Sequence, residues 1–366
     1  MSEFSAAESA FMERALRIAR QGQYTAHPNP MVGCVLVKDG NVVGEGWHAV
    51  AGEPHAEINA LQAAGENARG ATAFVTLEPC AHHGKTPPCS ESLIQAGVSE
   101  IVVARKDPNP RVDGKGLQAL SDAGISVRCG LMKSEVDGLL AGFLSRIERG
   151  RPYVRLKIAC SIDGRIAMAN GQSQWITGDE ARADVQRLRA RSGAIMTGIG
   201  TVLADDPSLT VRDASLNKHG TQPIRVVVDS KLRMPATAKM LKLPGTTVIA
   251  CGDEQKSREL VDAGAVLIKI ASKHGRLDLS AVLNQLALLH VNDVLVEAGP
   301  RLAGGLIEQE LVDELIIYQA PHIMGSETLG MFTTPGWTEL ADRQALRIVE
   351  TCLVGNDTRI TARPAD

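Results

Sequence analysis

Pro54-His55-Ala56-Glu57 and, some twenty residues on, Leu77-Glu78-Pro79-Cys80-Ala81-His82-His83-Gly84-Lys85-Thr86-Pro87-Pro88-Cys89 are the stretches around which the first half of the chain is read. Residues 56–68 carry Ile58, Leu61 and Ala64 on one side, the repeat of a helix with a single buried face. Residues 73–77 are a short apolar strand that ends at Glu78-Pro79-Cys80, and a second helical run with Leu93, Ile94 and Ala96 begins at Cys89. Working outward, 5–20 reads as an amphipathic helix with Ala7, Phe11, Ala15 and Ile18 on its apolar face. Tyr24 to Pro30 is a turn whose two prolines exclude helix. Residues 32–37 and 42–47 flank Lys38-Asp39-Gly40-Asn41 as a hairpin, and 101–104 is the next strand. The order α-β-β-α-β-α-β predicts an α/β/α layered domain, a sheet sandwiched by helices.

In this arrangement His55 and Cys89 each open a helix, where free N–H groups and the helix dipole favour anionic ligands and lower a cysteine's pKa. His55, Cys80 and Cys89 are candidate zinc ligands, and Glu57 a proton carrier that is not itself a ligand, the order H-x-E, P-C, C of zinc-dependent nucleobase deamination. Three protein ligands leave the fourth tetrahedral position to water. A structural zinc site closed by His82 or His83 is the alternative, but it gives Glu57 nothing to do. Eight residues separate Cys80 from Cys89, where the simplest motif has two. That insertion holds His82, His83 and Lys85, enough positive character to meet a phosphate on the substrate, or else to form a solvated loop.

At 366 residues, with 44% hydrophobic and 22% charged residues, the chain is expected to form two ordinary globular domains. A formal net charge of −3 argues against binding nucleic acid through broad electrostatics. No apolar run approaches the ~20 residues that span a bilayer, and Met1-Ser2-Glu3-Phe4 does not start like a secretory signal. Seven cysteines, an odd number, fit a reduced cytoplasmic setting better than a disulfide framework.

Past the loop signals Asp107-Pro108-Asn109-Pro110 and Gly114-Lys115-Gly116 come helical stretches at 117–123 and 136–147. Glu148-Arg149-Gly150-Arg151-Pro152 then breaks the pattern, which places the domains at 1–148 and 149–366. Strands at 154–159, 194–197, 224–228, 247–250, 266–270, 294–296 and 315–318 alternate with helices at 180–190, 256–263, 280–289 and 302–310. This predicts a second α/β domain with a largely parallel sheet. Gly198-Ile199-Gly200 lacks the third glycine of a dinucleotide fingerprint. Gly299 and Gly304 are spaced as in a P-loop, but Gly305-Leu306 stands where Lys and Ser or Thr belong. The segment is either a diphosphate cradle or a tight strand-to-helix turn.

His27-Pro28-Asn29-Pro30-Met31-Val32-Gly33-Cys34, Gly52-Glu53-Pro54-His55-Ala56-Glu57 and the long Cys80 to Cys89 motif resemble the deaminase half of the bifunctional riboflavin-biosynthesis deaminase/reductase family. Lys157 to Arg165, Ser173-Gln174-Trp175, Gly198 to Arg212 and Glu297-Ala298-Gly299-Pro300 resemble its reductase half, so the likeness covers nearly the whole chain. It implies a cytidine-deaminase-like domain followed by a dihydrofolate-reductase-like domain, with zinc and NADPH as cofactors. By that resemblance Asn29 contacts the pyrimidine, and His82 and Lys85 lie near the phosphoribosyl end. Ala159, Trp175, Thr201, Asp205, Ser230 and the segment Gly299, Pro300, Arg301, Leu302, Ala303, Gly304, Gly305 line the cofactor site. Ser173, Arg189, Leu209, Arg212 and Glu297 hold the substrate. Lys157 joins them, and Lys157 and Asp205 are the candidate proton donors. Without the resemblance, Asp205 reads as a turn or cap residue, Trp175 as core and Arg189 as part of a solvated helix face. The residues after Pro335 carry little signal. The expected partners are a small phosphoribosyl-pyrimidine and further copies of the chain, with no nucleic acid and no membrane. A deaminase of nucleosides or tRNA, and a zinc-stabilised binding module without turnover, are the competing readings.

Overall fold

The computed structural model describes residues 4–81, 87–217, 220–252, 258–273 and 275–365. The chain divides into two compact units, Met1–Arg149 and Gly150–Asp366.

The first unit is built from α1 (Ala6–Ala19), β1 (Gly33–Lys38), β2 (Asn41–Trp47), α2 (Ala56–Ala64), β3 (Thr72–Leu77), α3 (Cys89–Ala96), β4 (Glu100–Arg105), α4 (Lys115–Asp122), β5 (Ser126–Cys129), α5 (Lys133–Leu139) and α6 (Ala141–Arg149). A capping box between Ser5 and Glu8 starts α1, and the two-residue turn Asp39-Gly40 joins β1 to β2. The five strands run in the order β2-β1-β3-β4-β5, antiparallel at the β2-β1-β3 end and parallel from β3 onward. Alternate residues feed two cores. Val35, Phe74 and Val102 face α1, α5 and α6, while Leu36, Val75 and Ile101 face α2, α3 and α4. The expected three-layer α/β/α arrangement is what forms. The single helix expected at 136–147 is two helices, because the backbone leaves the helical pattern at Leu140. The strand β5 had no clear sequence signal.

The second unit continues with β6 (Tyr153–Ser161), β7 (Arg165–Ala167), α7 (Asp179–Ala190), β8 (Ala194–Gly198), α8 (Ile199–Asp205), β9 (Ile224–Val228), β10 (Thr247–Cys251), α9 (Arg258–Asp262), β11 (Ala265–Lys269), β12 (Ser272–Lys273), β13 (Arg276–Leu277), α10 (Leu279–Leu288), β14 (Asp293–Glu297), α11 (Pro300–Glu308), β15 (Glu314–Ala320), β16 (Leu329–Gly330), β17 (Leu346–Val354) and β18 (Asp357–Pro364). Its main sheet has nine strands in the order β11-β10-β9-β8-β14-β6-β15-β18-β17. Seven are parallel, as expected, and the C-terminal hairpin adds two antiparallel strands at one edge. Leu156, Val296, Leu283 and Leu306 pack α10 and α11 on one face. Leu295, Ile316, Val185 and Leu188 pack α7 on the other. Part of the helix expected at 256–263 lies outside the described residues; Arg258–Asp262 is helical.

Candidate active sites

In the first unit, the N-termini of α2 and α3 and the end of β3 converge on one point. His55 is the N-cap of α2, Cys89 is the first residue of α3, and Cys80 follows β3. His55 Nδ1 lies 3.7 Å from Cys80 Sγ and 3.3 Å from Cys89 Sγ, and the three donor atoms all lie within 4.8 Å of one another. A tetrahedral zinc with ordinary Zn–N and Zn–S bonds separates such donors by about 3.6 Å, so the donor set fits that ion. Among the protein groups alone, hydrogen bonds with Cys89 and His55 pull the Cys80 thiol down against its burial. The same contact, together with burial, pushes Cys89 up.

Glu57 points inward from the first turn of α2 and is 3% exposed. Burial raises its carboxyl to about 7, with the His55 charge opposing, so it can hold or release a proton near neutrality. Asn29 Nδ2 is 3.0 Å from His48 Nε2, while His48 Nδ1 is 3.3 Å from the Pro54 carbonyl and its ring meets His55 edge-on at 5.2 Å. His48 therefore links Asn29 to the donor cluster. The sequence reading missed it, because an isolated histidine after a strand carries no motif. His82 and Lys85 lie outside the described residues.

In the second unit, Lys157 and Glu297 are direct cross-strand partners on β6 and β14, on the face covered by α7. Arg189, in the last turn of α7, folds under the helix and meets Glu297 as a fork: Nε to Oε1 at 2.6 Å and Nη2 to Oε2 at 3.0 Å. Lys157 Nζ is 3.7 Å from Oε2, and all three side chains are largely buried. Burial pushes the Glu297 carboxyl up, but the Arg189 and Lys157 charges outweigh it and, with Arg212, hold it at about 2. Arg189 is thus no part of a solvated face. Arg212 is exposed, with its backbone N–H donating to Gln186.

Ala159 lies late in β6, Ser230 just past β9, Thr201 in the first turn of α8, directly after β8, and Gly299 at the N-cap turn of α11, after β14. These four strands are parallel neighbours, so the residues gather at the carboxyl end of the sheet, where open α/β sheets bind ligands. The Gly299 N–H donates to Thr201 Oγ1 at 3.3 Å, which ties two of those turns together.

A family model for the RibD C-terminal domain matches residues 152–360, and one for the cytidine and deoxycytidylate deaminase zinc-binding region matches residues 5–105. Among curated proteins, the riboflavin biosynthesis protein RibD of Escherichia coli is 51% identical over 95% of this chain and 96% of its own length. The chain belongs to the RibD family. That of Haemophilus influenzae is 47% identical over 100% and 99%. Among solved structures, Acinetobacter baumannii RibD superposes with a TM-score of 0.92 at 43% identity, covering 98% of this chain and 99% of that one. The Thermotoga maritima diaminohydroxyphosphoribosylaminopyrimidine deaminase/5-amino-6-(5-phosphoribosylamino)uracil reductase superposes with a TM-score of 0.86 at 32% identity and the same coverage. The chain is accordingly a bifunctional enzyme of riboflavin biosynthesis, with a cytidine-deaminase-like zinc domain and a RibD reductase domain.

The other residues that the resemblance implied lie in varied surroundings. Leu209 is 3% exposed and packs in the core with Ile199 and Val202, so its side chain does not face a ligand. Trp175 is not core: it is 67% exposed, with the Arg182 guanidinium over its ring at 4.7 Å. Asp205 ends α8 in an exposed position and Ser173 is half-buried; among the described residues no hydrogen bond joins either to the Glu297 cluster. The segment 299–305 is helical from Pro300 onward. Gly299 caps α11, Pro300 begins it, Arg301 and Leu302 form its first turn, and Ala303, Gly304 and Gly305 lie within it. Ala303 is fully buried in the core.

Proposed function

We propose that Met1–Arg149 hydrolytically deaminates 2,5-diamino-6-(5-phosphoribosylamino)pyrimidin-4(3H)-one. In the same reading Gly150–Asp366 reduces the ribosyl chain of 5-amino-6-(5-phosphoribosylamino)uracil to ribityl with NADPH. The observation that carries the first half is the buried Glu57 carboxyl beside a histidine and two cysteines set at zinc-ligand spacing. Zinc, when bound, makes a water nucleophilic at neutral pH. His55, Cys80 and Cys89 would hold the ion, and Glu57 carries two protons from the water in turn, one to the ring nitrogen and the second to the departing amine. Asn29, fixed by His48, orients the pyrimidine, and His82 and Lys85 meet the phosphate.

In the reductase half the cofactor supplies hydride and the protein supplies position. Ala159, Ser230, Thr201 and the Gly299 turn, at the carboxyl end of the sheet, receive the nicotinamide nucleotide, and Trp175 and Asp205 border it. Glu297, with Lys157 and Arg189 beside it, has lone pairs for ribose hydroxyls, and the exposed Arg212 fork suits the phosphate. Ser173 and the Leu209 backbone complete the substrate site. The seven cysteines form no disulfide, as suits a cytoplasmic enzyme with thiolate metal ligands. Among the described residues, no helix is long and apolar enough to cross a membrane.

The test supplies the phosphoribosyl-diaminopyrimidine to zinc-loaded protein with and without NADPH, beside Glu57→Gln. Ammonia release without NADPH, NADPH oxidation only after deamination, and loss of ammonia release by at least ~100-fold in the variant are expected. Turnover of cytidine or tRNA in its place, or no turnover with zinc loaded, overturns the reading.

A further inference from the structure

Glu78, two residues before the ligand Cys80, is 4% exposed and takes no part in the chemistry above. Its carboxylate accepts four backbone N–H groups. Those of Asp107 and Gly114 reach Oε2 at 3.2 and 3.0 Å, and those of Gly116 and Leu117 reach Oε1 at 3.0 and 3.3 Å. Three of the four come from the start of α4, a helix whose own N-cap, Gly114, offers no side-chain acceptor and whose first turn holds no acidic residue. Glu78 therefore caps α4 from a different strand, supplying the acceptors and the negative charge that a helix N-terminus needs.

Cys80 repeats the device one step along. Its Sγ accepts the Cys89 N–H at 3.3 Å, at the start of α3, where Pro88 provides no side-chain cap. The Cys80 carbonyl accepts from the Ser90 backbone and hydroxyl, both at 3.2 Å. The short segment Glu78-Pro79-Cys80 is thus clamped between the N-termini of two helices. Contact with α4 is close enough that a Cβ on Gly116 would overlap the Pro79 carbonyl oxygen. The loop 107–114 and the first turn of α4, which in sequence look like a mere connector, are the seat for this clamp.

We infer that Glu78 is a positioning residue for the metal centre: by fixing Pro79-Cys80 to α4 it holds the Cys80 thiolate at ligand distance from His55 and Cys89. Residues that orient metal ligands typically carry about 10–100-fold in metal affinity. This inference rests on the zinc reading of the preceding section, and the experiment separates the two. Full-length, zinc-loaded wild type, Glu78→Gln, Gly116→Ala and Met12→Ala are mixed with excess chromogenic chelator, and zinc release is timed. The cobalt(II)-substituted proteins are compared by their visible d–d and thiolate charge-transfer bands.

Glu78→Gln replaces an acceptor by an N–H donor facing other donors, and Gly116→Ala pushes the same segment from the other side. Both are expected to release zinc ~10–100-fold faster and to alter the cobalt bands. Met12 is fully buried in α1 and packs on the face of the sheet opposite α2, α3 and α4, so Met12→Ala should lower the melting temperature but leave zinc release and the cobalt spectrum unchanged. If Glu78→Gln is not recovered folded, Glu78→Asp, which keeps the charge and shortens the reach, is judged by the same comparison and should show a smaller acceleration. Release from the Glu78 variant within about twofold of wild type, or an equal acceleration in Met12→Ala, overturns the inference and leaves the zinc reading standing. Wild type that retains no zinc overturns the zinc reading itself.

Discussion

Glu297 shows how much a single side chain can conceal in sequence. The letters around it suggest a strand end before a glycine turn. Around Arg189, six charged residues in the twelve-residue α7 suggest a solvated face. Neither reveals that the helix passes over β14 so that the fork closes on the carboxylate. By contrast, His55, Glu57, Cys80 and Cys89 are legible because chemistry fixes their spacing along the chain, and the structure brings all four together. The buried ion cluster leads to a pH prediction. The Glu297 carboxyl is held at about 2, below its usual 4.5, so its ionised form stabilises the fold fully above about 4.5 and progressively less as pH falls toward 2. Glu297→Gln leaves Arg189 and Lys157 buried without their counter-charge, at a cost of about 3 kcal/mol at pH 7. Urea unfolding of both proteins between pH 7 and pH 3 should show that gap closing below about pH 4.5. A gap that stays constant across this range would mean that the cluster does not depress the carboxyl.

At the scale of elements, α11 shows what one glycine of the run does. Its glycines have P-loop spacing, yet Gly304 serves close packing. A Cβ there would sit on the Thr333 carbonyl oxygen, and the Thr333 N–H donates to the Pro300 carbonyl at 2.9 Å. The segment around Thr333 thus lies across the helix in contact with its backbone, which only a residue without a side chain permits. Spacing alone could not distinguish this from a phosphate cradle, because both need glycine where a backbone comes near. Gly304→Ala should cost roughly 1–3 kcal/mol through forced displacement of that strap. Gly305→Ala, whose nearest neighbour is Leu279 Cδ1 at an ordinary 3.5 Å, should be nearly neutral. Thermal melts of the two variants check this; equal losses would refute the packing account.

At the scale of the molecule, both α/β units were legible, since alternating apolar runs and helix-period stretches carry the sheet order's raw material. The C-terminal hairpin was not. β17 alternates poorly because it is exposed along most of its length, and no buried face imposes a pattern on it. That exposure has a consequence. β17 ends the nine-stranded sheet, and Leu346, Ile348, Val349 and Leu353 are 44, 65, 44 and 77% exposed. Such an edge offers unpaired backbone groups and apolar surface with only Arg347 and Glu350 as charged guards, so it is expected to pair with a second copy of the chain. A two-fold arrangement would pair the same patch with itself and close. Light scattering on the full-length protein at micromolar concentration should therefore give a mass at least twice 38.9 kDa. Ile348→Lys combined with Leu353→Lys places four like charges at a self-paired edge and should return the monomer mass, with the melting temperature of the zinc-bearing unit unchanged. A wild-type mass of 38.9 kDa, or an oligomer that survives the double substitution, would show that β17 is not where copies meet.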